Sequence, residues 1–313
     1  IDIVKNYQKI YSNIVLYRGK KHLGKSLVLN AVTDSIPNEY IFFVDADVTL
    51  TKEFFTNSML EFVNSKSDYI VPNIYIRNPS NVMQAFQYIE FAYLNLLRMA
   101  SVRLFEVPFY FNRCAFGIKK SVLKKVGGFA LTLTEDIELM VNLYPEFKAS
   151  YANNAIANVK PLNSIKKIAF QRARWNFGGL IIVLNHSFIK GKLPLNYYFF
   201  NVILWHLLSI SFLPLFVYFL YINLTAFQSV LFFLINSLTI IGVVSSLYLN
   251  PFGITGVLLV GLLFYSILRS KYYTNNYLYM SFLLYFGYLL FMQFSTVLGV
   301  IKYMFVKKKI FIN

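Results

Sequence analysis

What most constrains this chain is where its negative charge stops. All 14 Asp and Glu residues lie before Phe147, and long apolar runs follow. Such a sequence is built for two solvents, a soluble domain first and a membrane region after it. Hydrophobic residues make up 57% of the 313 residues and charged ones only 14%. The mean hydropathy of +0.52 is high for a purely soluble enzyme.

The apolar runs cover residues 197–222, 226–249, 253–268 and 277–300. The third is short; the others are long enough to cross a hydrocarbon core of about 30 Å. Four spans return the chain to its starting side. Lys166, Lys167, Arg172, Arg174, Lys190 and Lys192 precede the first span, and Lys307, Lys308 and Lys309 follow the last. That distribution predicts a multi-pass protein, in the plasma membrane, with both ends cytoplasmic. Arg269 and Lys271 then lie outside, against the trend.

The formal net charge is +16. No zinc-finger, RRM-like or helix-turn-helix pattern accompanies it, so nucleic acid is not the expected partner. Anionic lipid beside the spans, and a phosphorylated ligand, account for it better. The single cysteine, Cys114, excludes an internal disulfide and fits a reducing compartment. The chain opens at Ile1 with no signal peptide, and the expectation is that a preceding piece is missing.

Up to about residue 150, strand and helix patterns alternate. Residues 13–18, 40–44 and 69–72 read as strands, with 40–44 expected as a buried parallel strand. Residues 25–34, 51–64, 82–100 and 119–126 read as helices, the last closed by Gly127-Gly128. Alternation of this kind predicts an α/β sheet with helices on both faces.

Candidate chemistry sits at four places. Asp45-Ala46-Asp47 ends an apolar strand. Carboxylates at i and i+2 point to one side, and beyond a strand's carboxyl end they can hold a hard divalent ion whose other positions diphosphate oxygens fill. A solvated strand-end turn would look the same. Lys25, opening a helix after Gly24, suits phosphate. Gly19 to Ser26 also satisfies the G-x-x-x-x-G-K-S pattern, so a membrane-anchored P-loop ATPase is a rival reading. Thr134-Glu135-Asp136 offers a carboxylate base or an ordinary helix N-terminus. Gln171-Arg172-Ala173-Arg174-Trp175 offers cations for a diphosphate and an indole for a sugar, or an interfacial anchor.

In this order the motifs resemble the family 2 glycosyltransferases, and more narrowly the D, D, D, Q-x-x-R-W membrane group of cellulose, chitin and hyaluronan synthases and ceramide glucosyltransferases. The resemblance runs from about Ile14 to Trp175. It implies a GT-A-like, Rossmann-like nucleotide-sugar-binding domain over 1–158, interfacial helices over 159–196 and transmembrane helices over 197–306. It implies Lys25 along the nucleotide site with Asn30 supporting that segment, Asp45 facing the nucleotide-sugar, and Mg2+ or Mn2+ on Asp47 with Asp45. Asp136 would be the general base with Glu135 beside it. Gln171, Arg174 and Trp175 would shape the diphosphate and acceptor end, assisted by Arg172.

The implied reaction is inverting transfer from a nucleotide-sugar, a UDP-sugar in the synthases, to a glycan or lipid acceptor at the bilayer. A single-sugar lipid transferase of the ceramide type is the nearest alternative. A non-enzymatic membrane subunit is a more distant one. Three departures stand out. The opening Pro-x-Tyr-Asn-Glu strand with its acidic segment is absent, as is the Phe-x-Val-Thr-x-Lys stretch after Trp175. Phe111-Asn112-Arg113-Cys114 also replaces the small residues that the synthases carry near the acceptor.

Overall fold

The computed structural model describes residues 2–18, 24–111, 114–186, 193–225 and 285–304. In chain order the elements begin with α1 (Asp2–Gln8), α2 (Lys25–Ser35), β1 (Tyr40–Val44), β2 (Val48–Leu50), α3 (Phe54–Ser65), β3 (Tyr69–Ile76) and α4 (Val82–Phe105). There follow β4 (Ala115–Lys119), α5 (Lys120–Lys125), α6 (Glu135–Leu143), β5 (Ala149–Val159), α7 (Ile165–His186), α8 (Leu193–Thr225) and α9 (Tyr285–Met304).

The strands form one mixed sheet in the order β1-β4-β3-β5-β2. β3 and β5 are parallel, and the other pairs are antiparallel. Alternation sends successive side chains to opposite faces. Tyr69 and Val71 of β3 and Phe116 and Ile118 of β4 enter one core with α5 and α6 residues such as Leu123 and Leu139. Ile70 and Ala115 enter a second core with Phe54 and Phe62 of α3. Both faces are therefore covered. Phe54 and Phe116 are fully buried, each contributing about 1.5–3 kcal/mol of burial energy.

Local chemistry sets the element ends. The Asn81 side chain accepts from the Gln84 N–H at 2.9 Å, and the Gln84 amide accepts from the Ser80 N–H at 2.8 Å. This reciprocal cap starts α4. After α5 the chain turns through Gly127 and Gly128 at φ 83° and 77°, a region that favours glycine.

Two expectations are corrected. Residues 13–18 form no strand. Among the described residues β1 is an antiparallel edge strand rather than a buried parallel one: it pairs there with β4 alone, and Tyr40 and Val44 are exposed. An apolar run reveals burial, but not which neighbour it pairs with or in which direction.

Beyond the sheet, α7, α8 and α9 pack together. Thr296 Oγ1 accepts from Asn176 Nδ2 at 2.7 Å and from Trp205 Nε1 at 2.9 Å, tying the three helices at one hydroxyl. Among the described residues one stretch, Leu193–Ser211 in α8, is long and apolar enough to cross a membrane. The expected spans 226–249 and 253–268 lie outside the described residues, as do the start of the last span and the basic residues after it.

Candidate active site

Asp45-Ala46-Asp47 is the turn between β1 and β2, closed by the Val48 N–H on the Asp45 carbonyl at 3.1 Å. Because β1 and β2 are opposite edges of the sheet, this turn carries the chain across its end. The Asp45 N–H donates to the Cys114 carbonyl at 2.8 Å, anchoring the turn to the start of β4. Lys25, the first residue of α2, forms an ion pair with Asp45 Oδ1. Asp47 is exposed. A carboxylate turn of this kind fits a divalent ion that takes its remaining ligands from phosphate and water. Among the described residues no group of three or more His, Cys, Asp or Glu side chains stands together to hold a metal ion.

Cys114 is buried immediately before β4. Burial pushes its thiol up to about 12; Arg98 pulls it down, and Asp45, Asp47 and Asp136 each push it up.

Thr134 stands at the N-cap of α6 but makes no capping hydrogen bond, and among the described residues its buried hydroxyl has no partner. Glu135 is buried and Asp136 half-buried in the first turn. Asp136 Oδ1 accepts from the Ile137 N–H at 3.0 Å. The turn is held from outside by α7. Arg174 Nη1 donates to the Leu133 carbonyl at 3.0 Å. One helical turn on, Gly178 lies against Thr134, where a Cβ would stand 2.5 Å from Thr134 Cγ2. Residues four apart share a helix face, so one face of α7 docks the Thr134-Glu135-Asp136 turn. Trp175 is half-buried on the core that contains Cys114 and Ala115.

The other candidate residues have structural partners. Arg172 is 1% exposed. Its Nε donates to Glu90 Oε1 at 2.8 Å and its Nη2 to Glu90 Oε2 at 2.5 Å, while Nη1 donates to Gln171 Oε1. Its guanidinium lies 4.3 Å from the Trp175 ring centroid, and Tyr288 of α9 donates to Glu90 Oε2 at 2.8 Å. Arg172 thus braces α7 against α4 and α9. Asn30 spends both ends of its amide on Phe129, donating to the carbonyl at 2.9 Å and accepting from the N–H at 2.8 Å. It clamps the Gly127-Gly128 turn to α2 rather than reaching outward.

Sequence reasoning missed Glu90 and Gly178, which join elements far apart in the chain and carry no local pattern. Of the P-loop pattern, residues 19–23 lie outside the described residues, and Ser26 is buried. Phe111 and Cys114 are buried, and 112–113 between them lie outside the described residues.

Residues 1–127 match the family model described as glycosyl transferase family 2. No curated protein matches the chain. A solved structure, a mannosyltransferase from Pyrobaculum calidifontis in complex with GDP-Man and Mn2+, is similar over 98% of this chain and 74% of its own. Its TM-score is 0.60 at 12% identity, a likeness of fold. The chain has a GT-A-like α/β fold, and its first 127 residues are similar to the family 2 glycosyl transferases.

Proposed function

We propose that this chain is a family 2 glycosyltransferase that performs an inverting transfer from a nucleotide-sugar onto a lipid or glycan acceptor at a membrane surface. The observation that carries the proposal is the Asp45-Ala46-Asp47 turn, anchored through its N–H to the Cys114 carbonyl and paired with Lys25, together with α7 docked on the Asp136 turn. A base and a phosphate-binding end brought within reach of one substrate are what a single displacement needs.

In this reading Asp136 takes the proton from the acceptor hydroxyl. That oxygen attacks the anomeric carbon from the side opposite the nucleotide, and the bond to the diphosphate breaks. Lys25, paired with Asp45, and Arg174, bonded to the Leu133 carbonyl, would meet the departing charge, and Asp47 with Asp45 would hold Mg2+ or Mn2+. A divalent ion there supplies Lewis-acid neutralisation of the leaving diphosphate. Trp175 offers an indole edge to the sugar.

Membrane association is supported by the apolar 193–211 stretch and by exposed Leu207, Ile210, Leu298 and Ile301 on α8 and α9. Apolar surface of this kind marks a lipid or protein contact. The UDP-sugars of the resembling synthases and the GDP-mannose held by the Pyrobaculum enzyme are the two donor classes to compare.

The test is incorporation of label from a panel of UDP-sugars and GDP-mannose, with membranes carrying the protein, Mg2+ or Mn2+, and a chelator control. Chelator-sensitive incorporation from one donor is expected, and product size separates a polymer from a single added sugar. Incorporation untouched by chelator would remove the metal from the scheme. No incorporation from any donor would overturn the transfer itself.

A further inference from the structure

A cavity of about 330 Å³ lies beside the aspartate turn, lined by Asp47 and Thr49, Arg77, and Asn158 and Lys160. Sheet register explains why these residues meet. Thr49 is paired with Asn158, and Tyr75 with Asn158, across β2, β5 and β3. The next pairs are Val48 with Val159 and Ile76 with Val159. One step further, the row runs Asp47, Lys160, Arg77. Side chains two apart on a strand share a face, so this row stands on the same face as Thr49, Asn158 and Tyr75.

Arg77 is held at that place by its N–H, which donates to the Val159 carbonyl at 3.1 Å. The Arg77 and Lys160 side chains are exposed, and among the described residues neither has an ion pair. The lining holds two cations, an amide and a hydroxyl against the one carboxylate of Asp47, so it keeps a net positive charge suited to an oxyanion: guanidinium offers a planar fork and ammonium a point charge.

The position of the site suggests its occupant. The departing diphosphate already has Lys25, Arg174 and the proposed ion on Asp47 and Asp45. Arg77 and Lys160 add two charges on the side of Asp47 that faces β5 and β3. We propose that this row is a subsite for a phosphate group carried by the acceptor, so that the substrate glycosylated is a phosphorylated one. The assignment rests on the transferase reading above.

The experiment uses the full chain in detergent or membranes, with inorganic phosphate as probe. Phosphate binding is measured alone and in the presence of saturating UDP or GDP with Mn2+. The protein is compared with Arg77→Gln, Lys160→Gln and the double variant. Both side chains are exposed, so the variants keep the fold, which their thermal unfolding checks. Phosphate is expected to bind together with the nucleotide, and each substitution to weaken it roughly tenfold while nucleotide affinity stays put. Phosphate affinity unchanged in the double variant overturns the site. Competition between phosphate and nucleotide, with both weakened by the substitutions, overturns its assignment to the acceptor and gives the cations to the donor. Absence of any nucleotide binding counts against the transferase reading alone, because the phosphate measurement does not depend on it.

Discussion

Gly178 of α7 and Thr134 of the candidate base turn touch with no room for a methyl group: a Cβ on Gly178 would stand 2.5 Å from Thr134 Cγ2 and 2.7 Å from its Oγ1. The helix that carries Arg174 and Trp175 therefore seats the turn that carries Asp136. Gly178→Ala must push the two apart. A displacement of about 1 Å can cost about 100-fold in rate when reacting groups lose alignment. The expected result is a kcat loss of that order with donor affinity little changed. Thr134→Ala in the same chain frees part of the space and should recover part of the rate. Equal activity in Gly178→Ala and the parent protein would show that the contact positions nothing.

Asp136→Asn isolates the proton from the fold. The carboxylate now accepts from the Ile137 N–H at 3.0 Å, and an amide oxygen can accept the same bond, so the start of α6 should survive. Loss of a general base costs about 100-fold to 10,000-fold. Transfer is expected to fall by that much while nucleotide binding remains. Full activity in this variant would sink the base assignment.

How much of this was legible beforehand depends on how far a signal reaches along the chain. The turn at Asp45 and Asp47 was readable, because an apolar strand ending in two carboxylates is a local pattern. The glycine turn after α5 and the helical character of the Gln171 to Trp175 segment were readable for the same reason. The partners of Arg172 and Asn30 were not. Each of these two carries the residue type of a ligand-binding group, but the partner that claims it lies 82 residues away at Glu90 for Arg172, and 99 away at Phe129 for Asn30. Nothing in a local window separates a guanidinium that meets phosphate from one that closes a buried ion pair. Arg77 and Lys160 show the converse: each is an unremarked cation at a strand end, and only the pairing of β2, β5 and β3 brings them to Asp47.

The Arg172–Glu90 pair makes a stability prediction. Burial alone would favour a neutral Arg172, but Glu90 and Tyr288 outweigh it and raise its pKa further. Both partners are largely removed from water, with side-chain exposures of 1% and 11%. Breaking a buried pair from one side costs about 3–5 kcal/mol, whereas replacing both partners by apolar residues is often neutral or better. Glu90→Gln should therefore lower the unfolding temperature markedly, and Glu90→Leu with Arg172→Met should recover most of it. If Arg172 only braces the helices, the double variant also keeps nucleotide affinity. Restored stability with lost nucleotide affinity would return Arg172 to the binding site.

Cys114 supplies a probe of the acid cluster that needs no substrate. Its thiol is 8% exposed, and burial with the three aspartates pushes it up from 9.0 to about 12. The native state therefore holds this proton where the unfolded chain has released it. The sign follows: the contribution to stability is complete below about pH 9 and is lost as pH rises towards 12. Thiolate, not thiol, is the nucleophile, so iodoacetamide at neutral pH should leave Cys114 unlabelled in the folded protein and label it after denaturation. With chelator present, labelling of the folded protein should begin only in alkaline solution. Asp45→Asn, Asp47→Asn and Asp136→Asn each remove one charge that raises the thiol, so each should move the onset of labelling to lower pH. A substitution at Lys52, an exposed residue not among the charges that shift the thiol, serves as the control. If Asp136→Asn left the onset where the control leaves it while the other two moved it, Asp136 would not share the site with the metal-binding turn, and the proposed single displacement would lose its base.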